Sequence, residues 1–388
     1  MTTGVADSFR GHARVNNLGL SRVGTEEHKM KIGVASGDWV HPDQVDDGIE
    51  KWGGSGWARV GQYLPHIAGH TFHVGTLIFD PKHGAFQIRD ADEVLHDVDV
   101  VWMQRLMHRG ADLRIKLAQK EGQIIINDVD DWYWGLSDTN QAFRATHPKT
   151  SPEININHYK ATLCASDLLT VSTPYLYDRI KQLARGTKVI LVPNYIDVTR
   201  FPKYRHVVSS KPTFGWAGST AHRSRDLETL AGVITPFVNS EKITLHHHGA
   251  HPYMKTMASA LRLKDDQVST TPLTDHLNYP SGLNFDVGIV PLNDIPFNRA
   301  KSDIKGLEYS ACGIPFIAQN LDSYTHLKST LGIGRTAKRP SDWIRHINAL
   351  RSYDARVEEG EACYEGVKAR DIKYGAQLHQ QIFDQYGK

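Results

Sequence analysis

The chain has 388 residues, 40% of them hydrophobic and 23% charged, which is an ordinary composition for a soluble globular protein with room for two domains. A formal net charge of +2 gives no whole-chain argument for binding nucleic acid or an acidic membrane. The longest apolar runs have the length of a strand, far below the ~20 residues of a membrane span.

The cysteines and the first residues bear on the compartment. Cys164, Cys312 and Cys363 are scattered without the spacing of a metal site, so we expect free thiols in a reducing compartment and a cytoplasmic protein. Residues 1–28 are polar, contain three arginines and lack the apolar core of a secretory signal. We interpret them as a flexible N-terminal arm.

Strands and helices alternate along the first part of the chain. Residues 31–38 predict a strand, and a glycine-rich loop with Gly53, Gly54 and Ser55 then leads into an amphipathic run. Residues 71–79 predict the next strand, and further βα units follow up to residue 192. The pattern predicts a Rossmann-like domain over residues 29–200, with the glycine loop at a strand end where it could contact an acceptor or a phosphate.

The same alternation starts again after a polar connector. Residues 197–212 contain two prolines, and the strand pattern resumes at residue 213. We expect a second Rossmann-like domain over residues 211–354 and a helical segment over 355–388 that crosses back to the first domain. The predicted fold class is therefore α/β, with two Rossmann-like domains that face each other across a cleft.

The stretch 286–319 predicts a strand, a loop, a helix and a strand. The helix is predicted over residues 304–312, and the loop before it brings Lys301 and Ser302 to the helix start, where a cation, a hydroxyl and the helix N-terminus suit a phosphate. Glu308 follows nearly two turns later on the same face, about 10 Å along the axis. The arrangement could hold a nucleotide diphosphate, with its phosphates at the helix tip and its ribose on Glu308. An ordinary α/β unit with a solvated lysine and glutamate explains the same residues.

A second anion-binding loop is predicted where the strand that begins at residue 213 ends. Gly218 and Ser219 would bring backbone N–H groups close to an oxyanion, and Arg223 or Arg225 would add a fork of donors. A turn followed by a helix cap is the alternative.

Carboxylates and histidines raise the question of a metal. Asp130 and Asp131, in the sequence DVDD at residues 128–131, could orient an acceptor hydroxyl or stabilise positive charge at a reacting carbon. They could also bind Mg²⁺ or Mn²⁺, or cap the turn that follows. Residues 246–248 are three histidines on a predicted strand, where side chains alternate between faces and do not converge on one ion. We predict no metal site.

Three tryptophans near strand ends could stack a sugar or a base, but core or rim positions are the commoner alternative: Trp102, Trp132 and Trp134.

Four segments resemble retaining glycosyltransferases of the GT-B fold, of the large family-four type (glycosyl transferases group 1). The segments are KWGGSGWARVGQYLPHIAGHTFHV, VILVPNYID, GWAGSTAHRSRDL and PFNRAKSDIKGLEYSACGIPFIA, in the order that the family has them. The resemblance implies a nucleotide-sugar donor, with Lys301 on its diphosphate, Glu308 on its ribose hydroxyls, and the Gly218–Ser219 loop on its phosphates.

The chain departs from that family at two places. Ala300 stands where many members have a glutamate that contacts the transferred sugar, and DVDD stands where many have Thr-x-His-Asp. The sugar therefore stays open. We assign Asp130, Asp131 and Lys301 as candidate catalytic residues.

The resulting hypothesis is transfer of a sugar from a nucleotide diphosphate-sugar to an acceptor hydroxyl, retaining and without a metal or other cofactor. The acceptor class is open between protein, polysaccharide, lipid and a modified DNA base. The alternatives are a nucleotide-sugar epimerase of the same fold and a non-catalytic protein that binds a nucleotide or a sugar.

Overall fold

The fold is built on two six-stranded parallel sheets, and this confirms the predicted α/β class. The computed structural model describes residues 29–40, 51–220, 225–251 and 255–386. The predicted arm at 1–28 lies outside the described residues. We call the part up to residue 200 the first lobe and the part from 211 to 354 the second lobe.

The first lobe is wound around a sheet in the order β4-β1-β8-β9-β10-β11. The central strand β8 is buried along its whole length, as expected for a parallel strand covered on both faces. The strands are β1 (Lys31–Ser36), β2 (Trp39–Val40), β3 (Lys51–Trp52), β4 (Thr71–Val74), β5 (Thr76–Asp80), β6 (Ala85–Arg89), β7 (Leu95–Asp97), β8 (Val100–Gln104), β9 (Ile124–Val129), β10 (Leu168–Val171) and β11 (Lys188–Leu191). The helices are α1 (Gly54–Arg59), α2 (Ala111–Lys120), α3 (Gln141–Thr146), α4 (Ile156–Ala165) and α5 (Pro174–Leu183).

The prediction of one strand over residues 71–79 is wrong. The chain splits there into β4, which joins the large sheet, and β5, which forms an antiparallel sheet with β6 and β7. Gly75 marks the break, because a Cβ at that position would lie 2.1 Å from the carbonyl oxygen of Arg89. The glycine allows a close backbone approach that any side chain would prevent.

The second lobe is wound around a sheet in the order β14-β13-β12-β15-β16-β17. Its strands are β12 (Thr213–Ala217), β13 (Thr244–Ala250), β14 (Val268–Pro272), β15 (Val287–Val290), β16 (Phe316–Gln319) and β17 (Arg335–Ala337). Its helices are α6 (Ala231–Asn239), α7 (Met257–Leu261), α8 (Pro296–Arg299), α9 (Ile304–Ala311), α10 (Asp322–Leu331) and α11 (Pro340–Leu350).

Two further helices complete the chain, and the second of them packs on the first lobe. Helix α12 (Tyr353–Val367) packs against α9, and α13 (Ile372–Tyr386) packs against the 3₁₀ turn Gly61–His66 of the first lobe. The chain recrosses beside its first crossing, where the N–H of Ile196 donates to Arg370 and the N–H of Ile372 donates to Ile196. Within the described residues, no helix combines the length and the apolar character that a membrane span requires.

Each sheet has one point where the winding direction reverses. It lies between β1 and β8 in the first sheet and between β12 and β15 in the second. In open α/β sheets, ligands bind outside the carboxyl ends of the strands at such a point. The fold therefore predicts the position of a binding site in each lobe.

Candidate active site

A cavity of about 1320 Å³ lies between the lobes, and both reversal points open onto it. Asp38 and Arg105 reach it from beyond the ends of β1 and β8. Gly218 and Leu292 reach it from beyond the ends of β12 and β15. The two sites that the fold predicts are thus two walls of one cavity, large enough for a nucleotide-sized ligand with a second molecule.

The first carboxylate of DVDD holds the first lobe together. Asp128 is fully buried and accepts two hydrogen bonds from Arg59, at 3.0 and 2.8 Å, and one from the Thr170 hydroxyl at 2.6 Å. Arg59 also donates to the Val192 carbonyl and the Asn194 side chain. With its oxygens occupied in this way, Asp128 is a structural residue that ties α1 to the sheet.

Asp130 belongs to a charged group at the cavity wall. Arg105 donates to both of its oxygens, at 3.1 and 2.5 Å, and to Asp38 at 2.7 Å. Burial alone would raise the pKa of Asp130, but the Arg105 guanidinium and a hydrogen bond from Ser55 outweigh it and hold this pKa below its ordinary value. Asp131 lies 3.9 Å from the same guanidinium. Arg105 was missed by the sequence analysis, although its place directly after the central strand β8 was a usable signal.

The glycine loop faces the cavity, but its glycines serve a protein contact. Gly53, Gly54 and Ser55 line the cavity wall. The N–H of Gly53 donates to the Asp38 carbonyl, and the N–H of Gly56 donates to the Asp38 carboxylate at 3.0 Å. A Cβ at Gly56 would lie 2.7 Å from the Asp38 Cβ. The loop needs glycine in order to approach Asp38.

The helix that the sequence predicts over residues 304–312 is present, but Lys301 and Ser302 lie before it and not in its first turn. Helix α9 begins at Ile304, and the two residues lie in the link between α8 and α9. Asp303, the N-cap, is held by both its oxygens to Arg370, which fixes the start of the helix from outside the local sequence. The two-turn spacing of Lys301 and Glu308 along one helix therefore does not apply, although both residues line the cavity.

The link between α8 and α9 touches the first lobe at successive residues. The Thr173 hydroxyl donates to the Ala300 carbonyl at 3.1 Å, and Asn194 donates to the Ser302 hydroxyl at 2.8 Å. The Lys301 ammonium lies 3.5 Å from Asp131 and over the Phe297 ring, 4.4 Å from its centre. The Lys301 ammonium and the Ser302 hydroxyl are thus positioned by contacts between the lobes.

Position 300 is turned away from the cavity. Ala300 is fully buried and packs in the apolar cluster of the first lobe that contains Val129 and Tyr159. A glutamate side chain in this place would have to enter an apolar core, which is costly for a charge. The absence of a glutamate here fits the packing around the residue.

Glu308 and Lys305 share one face of α9 at the second wall. The Glu308 carboxylate accepts a hydrogen bond from the Tyr279 hydroxyl at 2.8 Å. Burial raises the pKa of Glu308, opposed by the nearby Lys305 ammonium and by the Tyr279 hydrogen bond. Lys305 was missed by the sequence analysis, although its place one turn before Glu308 on the same helix was visible. The pair offers a cation and a hydrogen-bond acceptor to one ligand.

The second predicted anion loop is only partly available to a ligand. The N–H of Gly218 donates to the His248 carbonyl at 2.8 Å, and the Gly218 carbonyl lies 2.9 Å from the His247 ring. Gly218 and Ser219 both line the cavity. Arg223 lies outside the described residues, and Arg225 is exposed away from the cavity lining.

The histidines and the predicted tryptophans have other partners. His246 contacts Ser269 and His248 contacts Thr271, on the face opposite to His247. Across the described residues, no group of three or more His, Cys, Asp or Glu side chains is arranged to hold a metal ion. Trp102 is core, and Trp132 and Trp134 pack on each other, 4.9 Å between ring centres, outside the cavity lining.

Comparison with solved structures identifies the fold. The chain is similar to a sucrose-phosphate synthase from Thermosynechococcus elongatus, with 12% identity, a TM-score of 0.60, and 92% of this chain and 99% of the other covered. A glycosyltransferase from Rickettsia africae matches at 11% identity and a TM-score of 0.58, over 93% and 99% of the two chains. The pneumococcal O-GlcNAc transferase GtfA, solved with UDP and GlcNAc, matches at 12% identity and a TM-score of 0.50, over 74% and 56%.

These similarities extend over nearly the whole chain in the first two cases, and the fold is the GT-B fold that the sequence predicts. No protein-family model and no curated protein sequence matches the chain. At these identities the comparison shows the fold alone, so the chemistry has to be argued from the cavity.

Proposed function

We propose that the protein transfers a sugar from a nucleotide diphosphate-sugar to an acceptor hydroxyl. The observation that carries this proposal is the meeting of two sheet-reversal points at one cavity, with Lys301, Lys305 and Glu308 on the wall of the second lobe. Two ammonium groups suit a diphosphate, and a carboxylate suits a ribose diol. The likeness to a transferase solved with UDP and GlcNAc supports the same assignment.

The donor would lie on the second lobe, residues 211–354, and the acceptor on the first, residues 29–200. The bond from the sugar carbon to the diphosphate breaks, its electron pair leaves with the nucleoside diphosphate, and the acceptor oxygen forms the new bond. Asp130, whose pKa is held low, orients the acceptor hydroxyl, and the proton passes to Asp131 or leaves on the diphosphate. Lys301 and Lys305 stabilise the leaving charge without a metal. Retention of configuration, as in the family-four type, is the part of this proposal that only the sequence resemblance implies.

A panel of nucleotide sugars tests the proposal. We expect release of nucleoside diphosphate from one donor, stimulated by an acceptor and unaffected by EDTA. Lys301→Ala and Glu308→Ala should each weaken binding of that nucleotide by about 1–3 kcal/mol, through lost charge-assisted hydrogen bonds. Lys242→Ala removes an exposed lysine outside the cavity lining and is the matched control.

Three results would contradict the proposal in different ways. Binding without release from any donor would favour a non-catalytic binding protein. Isomerisation of the donor without release would favour an epimerase. Unchanged nucleotide affinity in both Lys301→Ala and Glu308→Ala would mean that the donor does not bind at the second wall.

A further inference from the structure

The wall that the first lobe contributes to the cavity has more carboxylates than cations. Asp38, Asp130 and Asp131 lie 2.7, 2.5 and 3.9 Å from the Arg105 guanidinium. Their side chains are partly exposed at 20%, 7% and 17%, and all three line the cavity. We call these three residues the carboxylate cluster. Together with the Arg105 guanidinium, the carboxylate cluster has a formal charge of −2.

Arg59, which lies on the same wall, does not offset that charge for a ligand. Arg59 is 1% exposed, and its guanidinium donates hydrogen bonds to Asp128, Val192 and Asn194. Among the described first-lobe residues, three arginines line the cavity, Arg59, Arg105 and Arg200, and no lysine does. Arg200 lies over the Trp57 ring and donates to the His276 carbonyl, and Asp197 lines the cavity with it. A phosphate beside the carboxylate cluster would therefore meet three carboxylates and a guanidinium that those carboxylates already bind.

A buried hydroxyl on the same wall lacks a partner. The Ser172 side chain, at the end of β10, is 4% exposed and lines the cavity. Its oxygen has no hydrogen-bond partner among the described residues. A buried hydroxyl normally finds a partner, so this oxygen points to a polar group supplied by a ligand. It is an observation independent of the carboxylates.

We infer that the acceptor is an uncharged sugar unit, whose hydroxyls donate to the carboxylate cluster and to Ser172. Grouped carboxylates can each accept from a different hydroxyl of one sugar ring, while a single serine or threonine hydroxyl would satisfy only one of them. Acceptors with a phosphate or carboxylate beside the reacting hydroxyl are excluded by charge, which removes phospholipid head groups and nucleic acid. The inference rests on the proposed function for the reaction, but the site itself can be tested by binding alone.

The experiment measures binding to the full-length protein with UDP or GDP present. The neutral probes are methyl glycosides of glucose, mannose, galactose and N-acetylglucosamine. The anionic probes are glucose 6-phosphate, mannose 6-phosphate and a DNA duplex that contains 5-hydroxymethylcytosine. We expect one neutral glycoside to bind at least tenfold more tightly than every anionic probe. Asp130→Asn and Asp131→Asn should each weaken that binding at least fivefold. If the more buried Asp130→Asn variant does not fold, Asp131→Asn alone tests the inference.

The matched control is Glu153→Gln, an exposed first-lobe carboxylate that pairs with Arg109 outside the cavity lining and should change nothing. Tighter binding of an anionic probe, failure of every neutral glycoside, or unchanged binding in Asp131→Asn would each overturn the inference. Neutral-sugar binding without nucleoside diphosphate release would contradict the proposed function and leave this inference standing. Transfer to a phosphorylated sugar would support the proposed function and contradict the inference that the acceptor is uncharged.

Discussion

The two walls of the cavity hold their charged groups in different ways. On the first wall, Arg59 and Arg105 are bound by carboxylates of their own lobe, at distances down to 2.5 Å. On the second wall, the Lys301 ammonium meets a carboxylate of the other lobe at 3.5 Å. The first wall is therefore preorganised by its own sequence, whereas part of the second is positioned by contact between the lobes and can be rearranged by a ligand.

The largest effect should come from breaking the internal pairing of the first wall. Arg59→Met leaves Asp128 buried without its partner, and loss of one member of a buried pair costs about 3–5 kcal/mol. Urea unfolding should show this as a lower midpoint. Arg109→Ala breaks an exposed pair with Glu153 and should cost no more than about 1 kcal/mol. Equal losses in the two variants would contradict the preorganised first wall.

A smaller effect concerns the pH dependence of stability and compares a histidine that packs on the first lobe with one in the second lobe. His379 of α13 lies between the rings of Tyr63 and Trp102, and burial lowers its pKa from 6.5 to about 3. Below pH 6.5 the unfolded chain binds a proton at this histidine and the folded chain does not. The free energy of unfolding therefore has its full value above pH 6.5 and falls as the pH drops toward 3. The loss at pH 5 should be about 2 kcal/mol. His379→Phe should remove it.

In the second lobe, burial lowers the pKa of His248 to about 4, so its contribution has the same sign and levels off about one pH unit sooner. Urea unfolding between pH 7.5 and 4.5 measures both contributions. A His379→Phe variant that retains the full pH dependence would place the responsible group elsewhere.

The smallest effect should be on nucleoside diphosphate binding at the second wall, where Lys301 is held by a carboxylate of the first lobe. Asp131→Asn removes the carboxylate that Lys301 contacts between the lobes, which frees the ammonium for a diphosphate. Because the pair is partly exposed, nucleoside diphosphate binding should tighten by only about 0.5–1 kcal/mol. Calorimetry can measure this, with the exposed Asp138→Asn as control. Weaker nucleotide binding would mean that Asp131 supports the donor site instead of competing for its lysine.

The sequence was sufficient for the repeated architecture but not for the contacts that complete the cavity. Continuous apolar runs mark the buried parallel strands, and the residues after those strands, including Lys301 and Asp131, do line the cavity. The position of Arg105 directly after β8 was a usable signal, but its pairing was not, because Asp130 and Asp38 lie 25 and 67 residues away from it. Arg59 likewise pairs with Asp128 at a separation of 69 residues, and a single sequence carries no local signal for such pairs.

The relation of Lys301 to α9 was misjudged for the same kind of reason. The two-turn spacing of Lys301 and Glu308 assumed that Lys301 is helical, but the helix begins at Ile304, where Arg370, 67 residues further along than Asp303, holds the N-cap. The glycine loop does line the cavity, as the sequence predicts. The close approach of Asp38, which explains Gly53 and Gly56, could be seen only in the folded structure.

The paired crossing at Ile196 and Asp371 limits how the lobes can move. The chain passes between them twice, and the two passages lie side by side as a short parallel bridge. Two adjacent tethers leave rotation about a nearby axis but oppose sliding and twisting of one lobe on the other. We expect any opening to approximate a motion with a single degree of freedom, so that closure would bring Lys301 back to the same place opposite Asp131.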